Sequence, residues 1–395
     1  MEFFSGLDFF ALLMTALVPA AILGLSEKKL NAYRCVLTAI FIYLVYEKHP
    51  RQLAYLLIYS AGSIYLVKFF LYFNIKYKKN KFLLWHAIIC ALAPLIISKW
   101  SSAHNGTLFC FLGISYICFR VIQVILEIYD GLITEIHIAD YLEFLLFFPV
   151  LSSGPIDRSR RFSDDIHNIP TRSEYESLLF DGILKLALGA FYKTVCSALT
   201  FRYMNQIFDA VSETHKPVYL IFYAYLYGLY LFFDFAGYSS MAVGVSYVLG
   251  IRMPDNFNKP FLSTDLKEFW NRWHITLSWW FRDFVFSRFT MDCIRKKRFR
   301  SRTATAAVAF IVNMGIMGMW HGFTPCYVTY GLYHGFLLAA TELFQKKTAI
   351  YKKYKDNKLF KLCSWFVTLN IVMFGFLIFS GTIEKIWIFA KKGMF

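Results

Sequence analysis

Long apolar blocks, separated by short breaks rich in lysine and arginine, run through almost the whole chain. Blocks near 7–25, 32–47, 53–73, 82–98, 107–128, 178–200, 218–235, 237–250, 303–320, 326–344 and 362–380 each approach the length that a bilayer-crossing helix demands. The pattern predicts an all-α polytopic membrane protein of about eleven spans, with re-entrant or interfacial helices between them. Basic clusters mark particular breaks: Lys28, Lys29 and Arg34, then Lys76 to Lys81, Arg158 to Arg161, Arg295 to Arg302, Lys346 to Lys361, and Lys391 with Lys392. Placing those clusters in the cytoplasm puts the N-terminus outside.

Several stretches depart from this rhythm. The segment 139–156, ADYLEFLLFFPVLSSGPI, is too short to cross comfortably, and Pro149, Ser152, Ser153, Gly154 and Pro155 break a helix. Irregular backbone at membrane depth survives only where protein or a water-filled cavity satisfies it, so a re-entrant segment beside a cavity fits, and an ordinary interfacial loop fits equally. Residues 172–193 open with an amphipathic, interface-suited pattern. The aromatic block 219–235 ends in FFDFAGYSS, which sets Asp234 among phenylalanines with Ser239 and Ser240 just beyond. A polar loop follows, IRMPDNFNKPFLSTD (251–265), whose Ser263, Thr264 or Asp265 can cap the next helix with Glu268 as the weakened reciprocal partner. That helix, expected over 266–289, reads LKEFWNRWHITLSWWFRDFVFSRF. Spacings of three, four and four would line up Asn271, His274, Ser278 and Arg282 as one polar stripe.

Composition agrees with a membrane setting and removes other classes. The chain has 395 residues, of which 57% are hydrophobic and 20% aromatic, with a mean hydropathy of +0.46. Apolar runs leave no room for a separate water-soluble module, so 1–395 reads as one integral membrane domain: N-terminal spans over 1–135, a core over 136–345, and a last span and tail over 346–395. A net charge of +16 would suit nucleic acid, but the cations sit in short breaks between spans, which points to anionic lipid headgroups or an acidic protein partner and not to nucleic acid. None of the eight cysteines forms a C-x-x-C pair, and most sit inside apolar runs as small hydrophobes. The first block lacks a basic leader and a cleavage site, so it reads as a retained helix.

No serine-hydrolase elbow is present, because GYSSM lacks the second glycine, and neither a phosphate-binding loop, a dinucleotide fingerprint nor an internal repeat is found. Chemistry therefore falls to histidine. An ionisable side chain in a bilayer is costly and marks a functional site by default. His274 reads either as a hydrogen-bonding group lining a cavity or as a packed histidine satisfied by neighbouring helices. His321 closes the small-residue run 303–320, with Gly315 and Gly318 behind it and Gly322 after it, where another backbone or a thin substrate can approach. It reads either as a base or as a helix C-cap answering the macrodipole. His334 lies thirteen residues on, yet no carboxylate or cysteine joins the three histidines at ligand spacing, so no metal is expected. His49, His86, His104, His137, His167 and His215 fall at block ends or in loops and receive no role.

Taken together, FDFAGYS (233–239), PDNFNKPF (254–261), FWNRWHITLSWWFRDF (269–284), WHG (320–322) and YHG (333–335) resemble the membrane-bound O-acyltransferases, polytopic enzymes that move an acyl group from a thioester to a hydroxyl. RDFVF after the first histidine, and the short chain without a large soluble insertion, resemble the branch that D-alanylates teichoic acid in Gram-positive cell membranes. The motifs around WHG are also similar to those of polysaccharide O-acetylases.

The resemblance implies a helical fold around a central tunnel and makes His321 and His274 the active-site pair, with Asn271, Ser278, Arg282 and Asp234 lining the tunnel. It implies a D-alanyl thioester carried on the phosphopantetheine of a small acidic carrier protein, with no cofactor bound tightly. The immediate acceptor hydroxyl would belong to teichoic acid, a small membrane peptide relay or a partner enzyme. The best carrier-docking candidate is 286–302, where Arg295, Lys296, Lys297 and Arg298 accompany Phe289, Met291 and Ile294. The same basic stretch also suits anionic lipid. A transporter would show paired inverted halves, which are not evident, and a non-catalytic scaffold has no need of two intramembrane histidines.

Overall fold

The computed structural model describes residues 4, 6–104, 106–214 and 216–382; His215, and Lys391 with Lys392, lie outside the described residues. Helices account for the regular structure there, with one isolated antiparallel bridge between Phe257 and Trp273. In chain order they are α1 (Leu7–Leu25), α2 (Asn31–Tyr46), α3 (Pro50–Tyr77), α4 (Lys81–Ala103), α5 (Ile114–Asp130), α6 (Ile138–Leu146), α7 (Ser159–His167), α8 (Arg172–Phe191), α9 (Ser197–Thr214) and α10 (Pro217–Val248). Then come α11 (Leu266–Trp270), α12 (Ile275–Phe281), α13 (Ser287–Arg295), α14 (Arg302–His321), α15 (Pro325–Lys347), α16 (Ala349–Tyr354) and α17 (Lys358–Phe379).

Among the described residues seven helical stretches are long and apolar enough to cross a membrane, and α2 is an apolar helix of 16 residues. Two blocks read as separate spans, 218–235 and 237–250, are one continuous α10. No proline lies between them, and a helix tolerates Gly237 where it would not tolerate proline. Likewise α8 and α9 join through a π-helical turn, Tyr192–Cys196, into one 40-residue stretch, Arg172–Val211.

The chain divides into two compact units, Met1–Ala190 with Tyr238–Asp255, and Phe191–Gly237 with Asn256–Phe395. In the first, the segment after α6 is irregular and buried: Phe147, Phe148, Val150 and Leu151 are fully inaccessible. Its carbonyls find a donor in Arg120, buried in α5, whose guanidinium donates to the oxygens of Phe144 (3.2 Å), Leu145 (2.8 Å) and Val150 (2.6 Å). Ser152 and Tyr238 share a hydroxyl hydrogen bond of 2.6 Å. The irregular backbone expected in 139–156 is therefore present, and a buried cation replaces its lost helix partners. Arg34 binds Glu143 at 2.6 Å in the same unit.

In the second unit α14 and α15 form a tight helical hairpin. A Cβ on Gly318 would stand 2.5 Å from the Tyr327 carbonyl oxygen, and one on Gly335 2.9 Å from the Ile311 Cα, so glycine sets the close approach. Gly315 is not needed for that approach, since a Cβ there would meet only Leu332 of α15, at an ordinary contact distance of 3.7 Å.

Candidate active site

The site begins with a broken helix. Instead of one helix over 266–289, the chain forms α11, stops, and restarts as α12, followed by a π-helical turn at Arg282–Phe286 and then α13. The break falls on His274, whose φ of 44° and ψ of 52° place it in the left-handed region. A non-glycine residue there is strained by roughly 1–2 kcal/mol and persists only where its surroundings hold it. The holder is the loop 254–261. Phe257 bridges to Trp273, the Asn258 N–H donates to the Arg272 carbonyl (2.9 Å), and the Ile275 N–H donates to the Asn256 carbonyl (2.9 Å). The buried Asn256 Oδ1 accepts from the Thr276 hydroxyl (2.6 Å) and N–H (3.3 Å).

Asp265 caps α11, accepting from the N–H groups of Lys267 and Glu268, while Glu268 accepts from Thr264. This is the capping arrangement expected from the sequence.

The break dissolves the expected polar stripe. His274 points into the interior, its ring edge-on to Phe235 at 4.7 Å, and among the described residues its Nδ1 has no hydrogen-bond partner. Asn271 is exposed, and Ser278 donates to the Trp273 carbonyl at 3.3 Å. Arg282 is exposed, pairs with its neighbour Asp283 at 2.9 Å and lies over the Trp279 ring. Asp234, on α10, binds Lys193 at 2.6 Å. Asn271, Ser278 and Arg282 are thus not gathered with His274 on one helix face.

His321 is the last residue of α14. Its ring stands edge-on to Phe379 at 5.0 Å and near Tyr327 and Tyr330 at 5.9 and 6.4 Å. His274 lies in none of the seven candidate spans. Burial, and then the neighbouring His321 imidazole, push its pKa down to about 3, so it stays neutral. The two histidines that the motifs singled out are therefore electrostatic neighbours within one unit.

His334, in α15, is fully buried between Trp270 (5.4 Å) and Tyr330 (4.7 Å), and both ring nitrogens lack hydrogen-bond partners among the described residues. Among those residues no group of three or more His, Cys, Asp or Glu side chains could hold a metal ion. Two supports escaped the sequence reading: Asn256, whose only signal was its place in the PDNFNKPF motif, and Arg120, a lone cation inside an apolar block.

On α13, Met291 and Ile294 are 62% and 46% exposed, whereas Phe289 is half-buried and offers less than its sequence position suggested. An amphipathic helix turns that phenylalanine inward. Asp292 gathers Arg295, Lys296 and Arg298 at 3.0–3.1 Å, and the hydrogen bond from Lys296, with the other cations, holds its carboxyl below the usual range. Lys297 takes a left-handed conformation at the end of the helix.

A multi-pass helical membrane protein with a buried histidine in a strained break, and a half-buried one at a helix end close enough to influence it, is the class defined so far. The profile described as "MBOAT, membrane-bound O-acyltransferase family" matches residues 83–382. The chain is 39% identical to the teichoic acid D-alanyltransferase of Bacillus subtilis over 96% of its own length and 98% of the relative's. It is also 39% identical to that of Streptococcus thermophilus, over 97% and 96%. A more distant relative, "Probable alginate O-acetylase" of Pseudomonas fluorescens, is 32% identical over 68% of this chain and 51% of its own. The chain belongs to the membrane-bound O-acyltransferase family and is a membrane O-acyltransferase.

Proposed function

We propose that the protein transfers D-alanine from a phosphopantetheine thioester on an acidic carrier protein, across the membrane, to a hydroxyl acceptor in teichoic acid D-alanylation. The near end-to-end similarity to teichoic acid D-alanyltransferases supports D-alanine over acetate as the acyl group. What supports the mechanism is the pairing of a buried, neutral His274 with His321.

In this reading neutral His321 accepts the acceptor's hydroxyl proton as the oxygen attacks the thioester carbonyl carbon. The C–S bond breaks, and the departing thiolate takes that proton back from His321. His274 offers its interior ring to orient a reactant or to stabilise the developing oxyanion. Burial of His274 keeps bulk water from that side of the site and so limits hydrolysis of the thioester. The N-terminus lies outside, and Met291 and Ile294 with the basic residues around them receive the carrier in the cytoplasm.

The test is thioester transfer in proteoliposomes with labelled D-alanyl carrier protein, acetyl carrier protein as competitor, and His321→Ala. Loss of roughly a hundredfold or more with carrier binding intact is expected of a removed base. Retained transfer would overturn the base role, and acetyl transfer at the faster rate would overturn D-alanine as the substrate.

A further inference from the structure

At the basic end of the second unit, α15, α16 and α17 flank an open cleft of about 300 Å³ that neither His274 nor His321 lines. It is lined by Tyr351, Lys355 and Lys361 and by the apolar Leu337, Val367 and Ile371, of which Val367 is exposed. From Lys361 to Ile371 the wall follows α17 for ten residues, about 15 Å at the helical rise, or half of a hydrocarbon core about 30 Å thick. The cleft thus runs from cations at the surface level of a spanning helix to apolar side chains at about its middle. That polarity and that depth suit the headgroup and part of one acyl chain of a phospholipid in one leaflet.

The charges agree. Residues 346–361 carry seven lysines against Asp356 alone. Among the described residues Lys355 forms no ion pair, and Lys361 meets only the exposed Asp356, at 3.9 Å. The carboxylate lining the cleft, Asp265, is occupied by two backbone N–H groups of α11 and by the Gln345 amide at 3.0 Å. Hydroxyls of Ser364 and Thr368 lie along the way.

We propose that this cleft binds one anionic phospholipid, the phosphate between Lys355 and Lys361 and an acyl chain along Val367 and Ile371. The occupant also ties the site to the machinery: the Asp265 that caps α11 forms part of the cleft wall, so a lipid seated there braces the element leading to the His274 break.

The test is native mass spectrometry of the full-length protein titrated with dioleoylphosphatidylglycerol or dioleoylphosphatidylcholine. The unmodified protein should retain one phosphatidylglycerol with a preference of about tenfold or more over the choline lipid. Lys355→Gln with Lys361→Gln should weaken it by about tenfold to thirtyfold, as for two lysines near an anionic headgroup. Val367→Trp, at an exposed position of the groove, should displace the chain, while Lys352→Gln with Lys353→Gln on the same basic end should leave binding intact. Equal weakening by both lysine pairs would overturn the site in favour of diffuse surface attraction. Binding that survives Val367→Trp but yields to inorganic phosphate would overturn the lipid in favour of an anion alone.

Discussion

Asn256 is the residue on which the His274 break depends, and its removal can be worked through. Asn256→Ala deletes the acceptor of two buried hydrogen bonds from Thr276, at 2.6 and 3.3 Å. Depriving a buried donor of its partner costs about 1–3 kcal/mol, so the pair is worth roughly 2–4 kcal/mol, reduced somewhat because the orphaned Asn256 Nδ2 disappears too. That loss exceeds the roughly 1–2 kcal/mol of strain stored in the left-handed backbone of His274, so the break relaxes and the imidazole leaves its position. Thr276→Val removes only the hydroxyl, at nearly constant shape, and should cost about 1 kcal/mol. Because both substitutions act on one interaction, the double variant should be less damaged than the sum of the singles, by about 1 kcal/mol. Unfolding free energies come from sodium dodecyl sulfate titration in mixed micelles, and transfer rates from proteoliposomes. Asn256→Ala should slow transfer about tenfold or more while the protein remains folded. Strict additivity of the two substitutions, or full transfer by Asn256→Ala, would refute the reasoning.

Three further outcomes follow from the same geometry. His274 has a folded pKa of about 3 against 6.5 when exposed, so between these values the unfolded chain binds the extra proton; stability is complete above about pH 6.5 and falls on acidification, by up to about 1.4 kcal/mol per pH unit, and unfolding midpoints at pH 5 and 7 should show a steeper loss than in His274→Phe. Gly331→Leu should separate α14 from α15 and cost about 3 kcal/mol or more, because a Cβ there meets Met314 and the Gly318 Cα, whereas Gly315→Ala should be neutral or slightly stabilising; thermal unfolding in detergent distinguishes them. Met291→Asp should weaken carrier-protein binding about tenfold in a pull-down titration without shifting the unfolding midpoint, since the side chain is 62% exposed.

Much of the architecture was legible because hydrophobic block length is a direct readout of bilayer thickness. The motifs likewise located both histidines. What spacing could not show was the break at His274, because Trp, Ile, Leu and Phe around it suit a continuous helix and the signal against one is tertiary: the Asn256 carbonyl and amide lie some eighteen residues upstream. The stripe of Asn271, Ser278 and Arg282 failed for that reason. Phe289 is less exposed than Met291 and Ile294, which a basic run could not show, since it says that a surface is near without saying how far each apolar residue reaches it. Arg120 could not be placed from the chain at all, because its partners are carbonyl oxygens, which every residue possesses.

A common feature of the two histidines is that each stands where a helix stops. His321 ends α14, and His274 occupies the position before α12. In a membrane protein a helix stop leaves backbone groups that lipid cannot satisfy, so each stop needs its own partner built from protein. For His274 that partner is the loop 254–261; at the end of α14 the Gly322 N–H returns to the Gly318 carbonyl at 3.3 Å, beside the glycine seam with α15. The strain at one stop and the close packing at the other fix imidazoles on backbone that cannot drift, which a long side chain on an uninterrupted helix would not achieve. Substitutions at Asn256 or Gly331 should therefore slow transfer about tenfold or more without touching either histidine, and a search for damaging positions should find them in these supports as well as in the pair they hold.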